Sequence, residues 1–215
     1  MIDSDFETVM EYSFSARCCL REPIPEIFDA ARFLDAAVSA HTAARFDLAE
    51  ELFRLADLQT VREWTNSLWS AHSPYANKPM SVVQSRSQIE TTASSYIPSS
   101  VRRAVLARDG HHCRFCGIPV VAAAVRKRIH ERYPTTVNWS SSNQDQHAAF
   151  QCFWLQYDHL MPRSRGGSSD ADNIVVTCAG CNFGRMERLL SEVGLMDPRT
   201  REPRQSLWDG LERFL

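Results

Sequence analysis

Four cysteines of this chain fall into two Cys-x-x-Cys pairs, Cys113-Arg-Phe-Cys116 and Cys178-Ala-Gly-Cys181, with 61 residues between them. A Cys-x-x-Cys turn presents two thiolates to one ion, and two such turns complete a closed tetrahedral site, so the pattern predicts structural zinc. One pair alone is a weak signal. Two pairs, with Gly117 and Gly180 inside or beside the turns, are a strong one. The long separation means that the ion joins distant segments. A thioredoxin-like redox site needs a surrounding βαβ pattern, which is absent. Cys18, Cys19 and Cys152 have no comparable partners, and Cys152 reads as a small buried side chain.

A second chemical feature is the adjacent pair Asp158-His159 in "LQYDHLMPRSRGG", residues 155–167. An imidazole titrates near neutral pH and suits a general base. A carboxylate is a hard oxygen ligand for Mg2+ or a similar ion. Neighbours on a regular strand point to opposite faces. Both can therefore serve one site only if the strand ends there and the following loop bends back, as Pro162, Gly166 and Gly167 would allow.

The elements that must position these residues are legible in outline. Hydrophobic residues make up 44% of the 215-residue chain and charged ones 23%, a globular balance with no apolar run long enough for a membrane span. The N-terminus carries four acidic residues before its first arginine, unlike a signal or transit peptide, so the expected location is cytoplasmic. Residues 1–100 hold 8 Lys/Arg against 14 Asp/Glu, whereas residues 101–190 hold 12 against 7. The basic charge thus sits with the cysteines, where a phosphate binder would place it.

Residues 25–71 read as helices. Ile27, Ala30, Ala31, Leu34, Ala37 and Val38 mark one face, and Leu48, Ala49, Leu52, Phe53 and Ala56 a second. A third helix is expected from Thr60, with Thr60-x-x-Glu63 as a capping box. The segment "ARFDLAEELFRLA" resembles a tetratricopeptide-type helix, but no second copy follows. Residues 70–100 contain 14 Ser, Thr or Pro among 31 and read as a linker. "SSVRRAVLARDG" predicts a Ser-capped helix stopped at Gly110. "FQCFWLQYDH" and "NIVVTC" read as strands, and "LMPRSRGGSSDAD" as the loop between them. A helical stripe of Phe183, Met186, Leu189 and Leu190 follows, ending near Gly194. "AAAVRKRIHERYP", residues 122–134, predicts a basic helix that is either a plain surface helix or a contact for nucleic-acid backbone. The tail "LWDGLERFL" is apolar enough to dock on the body.

The segments "VRRAVLARDGHHCRFCG" and "YDHLMPRSRGGSSDADNIVVTCAGCNFGR" together resemble the HNH endonucleases, in their four-cysteine zinc-stabilised branch. The resemblance covers roughly residues 100–190. It implies an α+β fold, a ββα-metal core clamped by zinc at Cys113, Cys116, Cys178 and Cys181, here preceded by a small all-helical domain. The expected divisions are a helical bundle over 1–75, a linker over 76–99, the nuclease domain over 100–194 with the inserted helix near 122–134, and a packing tail over 195–215.

The resemblance also assigns roles. His159 matches the family's base. Asp158 and Asn182 match ligands of the catalytic divalent ion, Mg2+ or Mn2+, with Asn182 standing where histidine is frequent; oxygen donors favour such hard ions. Asn173 matches the residue that bonds loop backbone and orients the base. Arg185 is the first candidate for phosphate contact, with Arg163 and Arg165 second. Arg108-Asp109 is read as a structural brace, and His111 and His112 as packing residues. The function implied is a metal-dependent endonuclease that nicks or cleaves DNA, of a kind often found in phage-defence or mobile-element systems. The sequence does not separate DNA from RNA. The alternative is a non-catalytic zinc-stabilised nucleic-acid-binding module. In either case the N-terminal helices could serve homo-oligomer or partner contacts.

Overall fold

The computed structural model describes residues 17–69, 73, 75 and 97–215. The acidic N-terminal residues and nearly all of the Ser/Thr/Pro-rich stretch lie outside them. Helix α1, Pro25–Thr42, begins with proline at its first position, where a missing N–H costs nothing, and buries Ile27, Ala30, Ala31, Leu34, Ala37 and Val38 along one face. It packs against α2, Phe46–Leu55, as a helical hairpin. Only Ala49 and Phe53 of α2 are fully buried; Leu48 faces solvent. Helix α3, Gln59–Asn66, starts one residue before Thr60 with Leu58 as its cap and no side-chain capping bond, so the Thr60–Glu63 box is not formed. Helix α4, Ser99–Asp109, likewise takes Pro98 and not a serine as its cap, and it stops at Gly110. The basic helix, α5, spans Ala123–Arg132.

The first predicted strand is shorter than its sequence suggests. Residues Ala148–Cys152 form a helical turn, α6, whose five side chains are all buried. A segment buried on every side loses the periodicity that separates helix from strand. Strand β1 is Leu155–His159, and it pairs antiparallel with β2, Ile174–Cys178, from Leu155 opposite Cys178 to His159 opposite Ile174. Helix α7, Ala179–Arg185, follows β2 directly and packs on both strands, completing a ββα unit. It ends at Met186, which has a positive φ of 58°, so the stripe expected to run on to Leu190 is broken and Met186 is exposed.

The helical hairpin and the ββα unit share one core. Helix α3 packs on α6 and α7, and α1 packs on α6 and on the C-terminal turn at Glu212–Phe214. A continuous cluster of buried apolar side chains runs from Cys19 and Leu20 through Leu34, Phe53 and Trp64 to Phe150, Val176 and Leu211. Each such fully buried large side chain contributes about 1.5–3 kcal/mol. The approach is closest at Gly184, where an added Cβ would lie 2.6 Å from the Leu68 carbonyl oxygen. Residues 17–69 are therefore packed as part of the body. The tail docks through Leu211, Phe214 stacked on His41, and Trp208, whose Nε1 donates to the Val120 carbonyl, while Leu207 stays in solvent. No helix among the described residues is long and apolar enough to cross a membrane.

The seam between α2 and α6 contains a buried imidazole. His147 is 1% exposed, its Nε2 donates to the Phe53 carbonyl at 2.8 Å, and Nδ1 has no partner among the described residues. Burial holds its pKa below the ordinary imidazole value, with Asp57 pulling the other way. The folded state then binds fewer protons than the unfolded chain, so the stability His147 contributes is full above about pH 6.5 and is lost as pH falls below it. The melting temperature should fall between pH 7 and pH 5, and the fall should be smaller in His147→Gln. Identical pH dependence in the two proteins would contradict this.

Candidate functional site

The four cysteines predicted from spacing converge. The sulfurs of Cys113, Cys116, Cys178 and Cys181 all lie within 4.8 Å of one another, and Cys116 and Cys178 are 3.7 Å apart. A tetrahedron with metal–sulfur bonds of about 2.3 Å has edges of about 3.8 Å, close to the Cys116–Cys178 separation, so the cluster could hold a metal ion such as zinc. The first pair sits on a tight turn in which the Gly117 N–H donates to the Cys113 carbonyl and the Cys113 N–H to that of Ile118. The second pair straddles the start of α7, where Cys178 is the cap and its sulfur accepts from the Cys181 N–H. Burial opposes ionisation of Cys113, but hydrogen bonds from Cys116, Cys178 and Cys181 outweigh it and hold that thiol well below its usual range. Burial and the neighbouring sulfurs push Cys116 up. Four sulfurs this close cannot all be thiolates unless a cation joins them.

Arg108 and Asp109 fasten the end of α4 to β2. Asp109 is 1% exposed and accepts from the Val176 N–H and from Arg108, which also donates to the carbonyls of Ala171 and Ile174. The brace thus acts on β2 as well as on the first cysteine turn, whose Arg114 N–H donates to the Val176 carbonyl. His111 contacts Glu212 and His112 contacts Ser206, and neither joins the cysteine cluster.

His159 ends β1, half-buried, with Nε2 3.0 Å from the Ser169 hydroxyl. Burial lowers its pKa below the ordinary value, and the charges of Arg163 and Arg185 lower it further, so the ring is neutral at pH 7. The loop that brings Ser169 to it is closed by Asn173. The Asn173 side chain accepts from the Met161 N–H at 2.8 Å and donates to the carbonyls of Met161 and Ser168 at 3.0 and 2.8 Å. Gly167 is required under this clamp, because an added Cβ would fall 1.7 Å from the Met161 carbonyl oxygen. Ser169 was not singled out from the sequence; one serine in a Ser/Gly/Asp loop carries no local signal.

Asp158 leaves the strand toward α7. It is 6% exposed, and both carboxylate oxygens accept from Arg185, Oδ2 from Nε at 3.1 Å and Oδ1 from Nη2 at 2.5 Å. Burial pushes the Asp158 carboxyl up to about 6, with the Arg185 guanidinium pulling it back down. Arg185 also donates to the carbonyls of His159, Leu160 and Arg188 and is only 1% exposed. The expected phosphate contact is therefore replaced by an internal clamp: a fully engaged, buried guanidinium is not presented to a ligand. Arg165 is similarly turned inward, 5% exposed and paired with Glu192 at 3.1 Å. Arg163 is half-buried and close enough to His159 to depress its pKa. Asn182 lies one turn before Arg185, half-buried, and lines a cavity with Trp154 and Phe183.

Residues 153–185, from the residue before Trp154 through the loop to Arg185, match the family model of the HNH endonucleases. The chain carries an HNH domain. The match contains β1, the His159 loop, β2 and α7, and the four-cysteine cluster agrees with a zinc-binding HNH unit. HNH endonucleases are nucleases, and the domain implies a nucleic-acid substrate. No curated protein and no solved structure matches the chain.

Among the described residues the only cluster of three or more His, Cys, Asp or Glu ligands is the cysteine one. A second ion at the HNH site would rest on fewer protein donors. A carboxylate offers about four lone-pair sites and Arg185 takes two, so Asp158 keeps acceptor capacity for a hard cation, and the Asn182 amide oxygen is a donor of the same class. Both are donor types that suit such an ion, and at Asp158 it would compete with Arg185.

Removing one partner of a buried ion pair leaves an uncompensated charge, at a cost of about 3–5 kcal/mol. Arg185→Ala should lose stability of that order in urea unfolding. A loss below about 1 kcal/mol would show that the clamp is not formed in solution.

Proposed function

We propose that this chain is a metal-dependent endonuclease that hydrolyses phosphodiester bonds in DNA, by nicking or double-strand cleavage. The observation that carries the reading is His159: a neutral, half-buried imidazole at a strand end, held by a loop that Asn173 closes, inside the HNH match. His159 accepts a proton from the attacking water. The water oxygen bonds to phosphorus as the phosphorus–oxygen bond to the leaving group breaks, and the leaving oxygen takes a proton from solvent. Asn173 and Ser169 orient the ring. Asp158 and Asn182 would hold Mg2+ or Mn2+, which when bound offsets charge on the phosphate and the leaving oxygen. Arg185 keeps Asp158 fixed and limits its affinity for an ion in the absence of substrate. Zinc at the cysteine cluster is structural in this reading.

The Arg185 clamp on Asp158 is also what would be found in a second reading, a zinc-stabilised binding module without catalysis. One experiment separates the two. Supercoiled plasmid is incubated with the purified chain and Mg2+ or Mn2+, beside His159→Ala. Metal-dependent nicking that falls at least about 100-fold in the variant is expected. Absence of nicking by the native chain would favour the binding module, and equal nicking by both proteins would remove His159 from the mechanism.

A further inference from the structure

Beside Asn182 lies a line of aromatic rings that hydrolysis of a phosphodiester does not require. Trp69, just after α3, has its ring centroid 5.5 Å from that of Phe183 on α7. Phe183 is 5.9 Å from Trp154 at the entry to β1, and Trp154 is 5.7 Å from Trp139. The Arg126 guanidinium of α5 lies over Trp139 at 3.5 Å and reaches Trp154 at 5.3 Å. Four separate stretches of chain contribute to this row, and it runs from the core out to solvent: Trp69 is buried at 8% exposed, Trp139 and Trp154 are half-buried, Phe183 is 37% exposed and Met186 beside it 50%.

Between the rings is a cavity of about 540 Å3 lined by Trp69, Asn143, Trp154, Asn182, Phe183 and Met186. That falls within the size range of sites that bury a small ring system. The Asn143 and Asn182 carboxamides each carry a donor and an acceptor, and neither has a side-chain partner among the described residues. Arg126 completes the set. Its Nε and Nη1 are buried without a hydrogen-bond partner among the described residues, so its charge is held against the rings without being neutralised by an acidic side chain through those atoms. Burial lowers its pKa to about 10, so it stays cationic at neutral pH.

We propose that this strip is a binding site for unpaired nucleotides of the substrate strand, with a base in the cavity stacked on Trp154 and Phe183 and a backbone phosphate on Arg126. Exposed aromatic faces joined to a cation are what a single strand binds, whereas in a duplex both faces of each base are already covered by its neighbours. The base must be unstacked, either in a single-stranded region or flipped out. The inference rests on the endonuclease reading, because Asn182 is shared by the two sites. It narrows the substrate to nucleic acid with unpaired bases next to the cleaved bond.

The test measures binding without cleavage, using the full chain in a His159→Ala background and fluorescein-labelled single-stranded DNA, single-stranded RNA of the same sequence, and duplex DNA, by anisotropy at fixed salt. At least one single strand should bind more tightly than the duplex, and the tighter of the two identifies the sugar preferred. Phe183→Ala and Trp154→Ala should each weaken that strand about tenfold while leaving duplex binding within about twofold. Arg126→Gln should weaken it and flatten its salt dependence by about one ion. Phe183 is exposed, so its removal does not threaten the fold, and unchanged circular dichroism confirms that. Tighter duplex binding, equal losses on strand and duplex, or no loss in any variant overturns the proposal. If these occur while the native chain still nicks plasmid, the strip fails alone; if nothing binds, the endonuclease reading falls with it.

Discussion

Everything around the HNH segment depends on bringing four sulfurs, from positions 113–116 and 178–181, within bonding distance of one ion. A two-stranded hairpin is marginal in water, and a seven-residue helix is far below the length that is stable alone. β1, β2 and α7 are such pieces. Cys178 is both the last residue of β2 and the cap of α7, so a bond at its sulfur fixes where the strand stops and in which direction the helix leaves. The positions of Asn182, Phe183 and Arg185 follow from that direction. The Arg108–Asp109 brace and the close approach of Gly184 to Leu68 then press the unit against α4 and the end of α3.

Within this frame the charges are divided by burial. Asp158 and Arg185 neutralise each other under α7, where an unpaired charge would be costly, while His159 at the open end of the strand stays neutral and able to take a proton. The adjacent residues thus differ in surroundings: Asp158 meets Arg185 of α7, and His159 meets Ser169 of the loop. Arg185 connects them, holding the carboxylate of one and the carbonyl of the other. The aromatic row beside Asn182 belongs to a third environment, half in solvent, that none of the buried chemistry uses.

The cysteine cluster was legible because each Cys-x-x-Cys turn is local and tetrahedral coordination demands two of them. The loop between the strands was legible from Pro162, Gly166 and Gly167, and Gly167 proves to be the one residue that fits under the Met161 carbonyl. Arg185 was not: its spacing from Asn182 is that of a helix face, but whether that face meets solvent or a carboxylate 27 residues away is decided by tertiary packing. The same limit hid the aromatic row, whose members come from positions 69, 139, 154 and 183. Phe150–Cys152 read as strand because a segment buried all round has no period, and the helical stripe expected through Phe183 and Met186 to Leu190 stops where Met186 takes a positive φ. The N-terminal helices looked separable because the sequence between them and the cysteines is linker-like, yet their apolar faces are shared with α6 and α7.

One metal ion at Cys113, Cys116, Cys178 and Cys181 would hold the hairpin and α7 in place. Metal analysis of the purified chain, followed by stepwise chelation with far- and near-UV circular dichroism, tests it directly. About one zinc per chain is expected, with loss of near-UV signal from Trp154 and its neighbours as the ion is withdrawn. A chain that holds no metal, or that keeps its spectrum and unfolding midpoint after complete chelation, would contradict it.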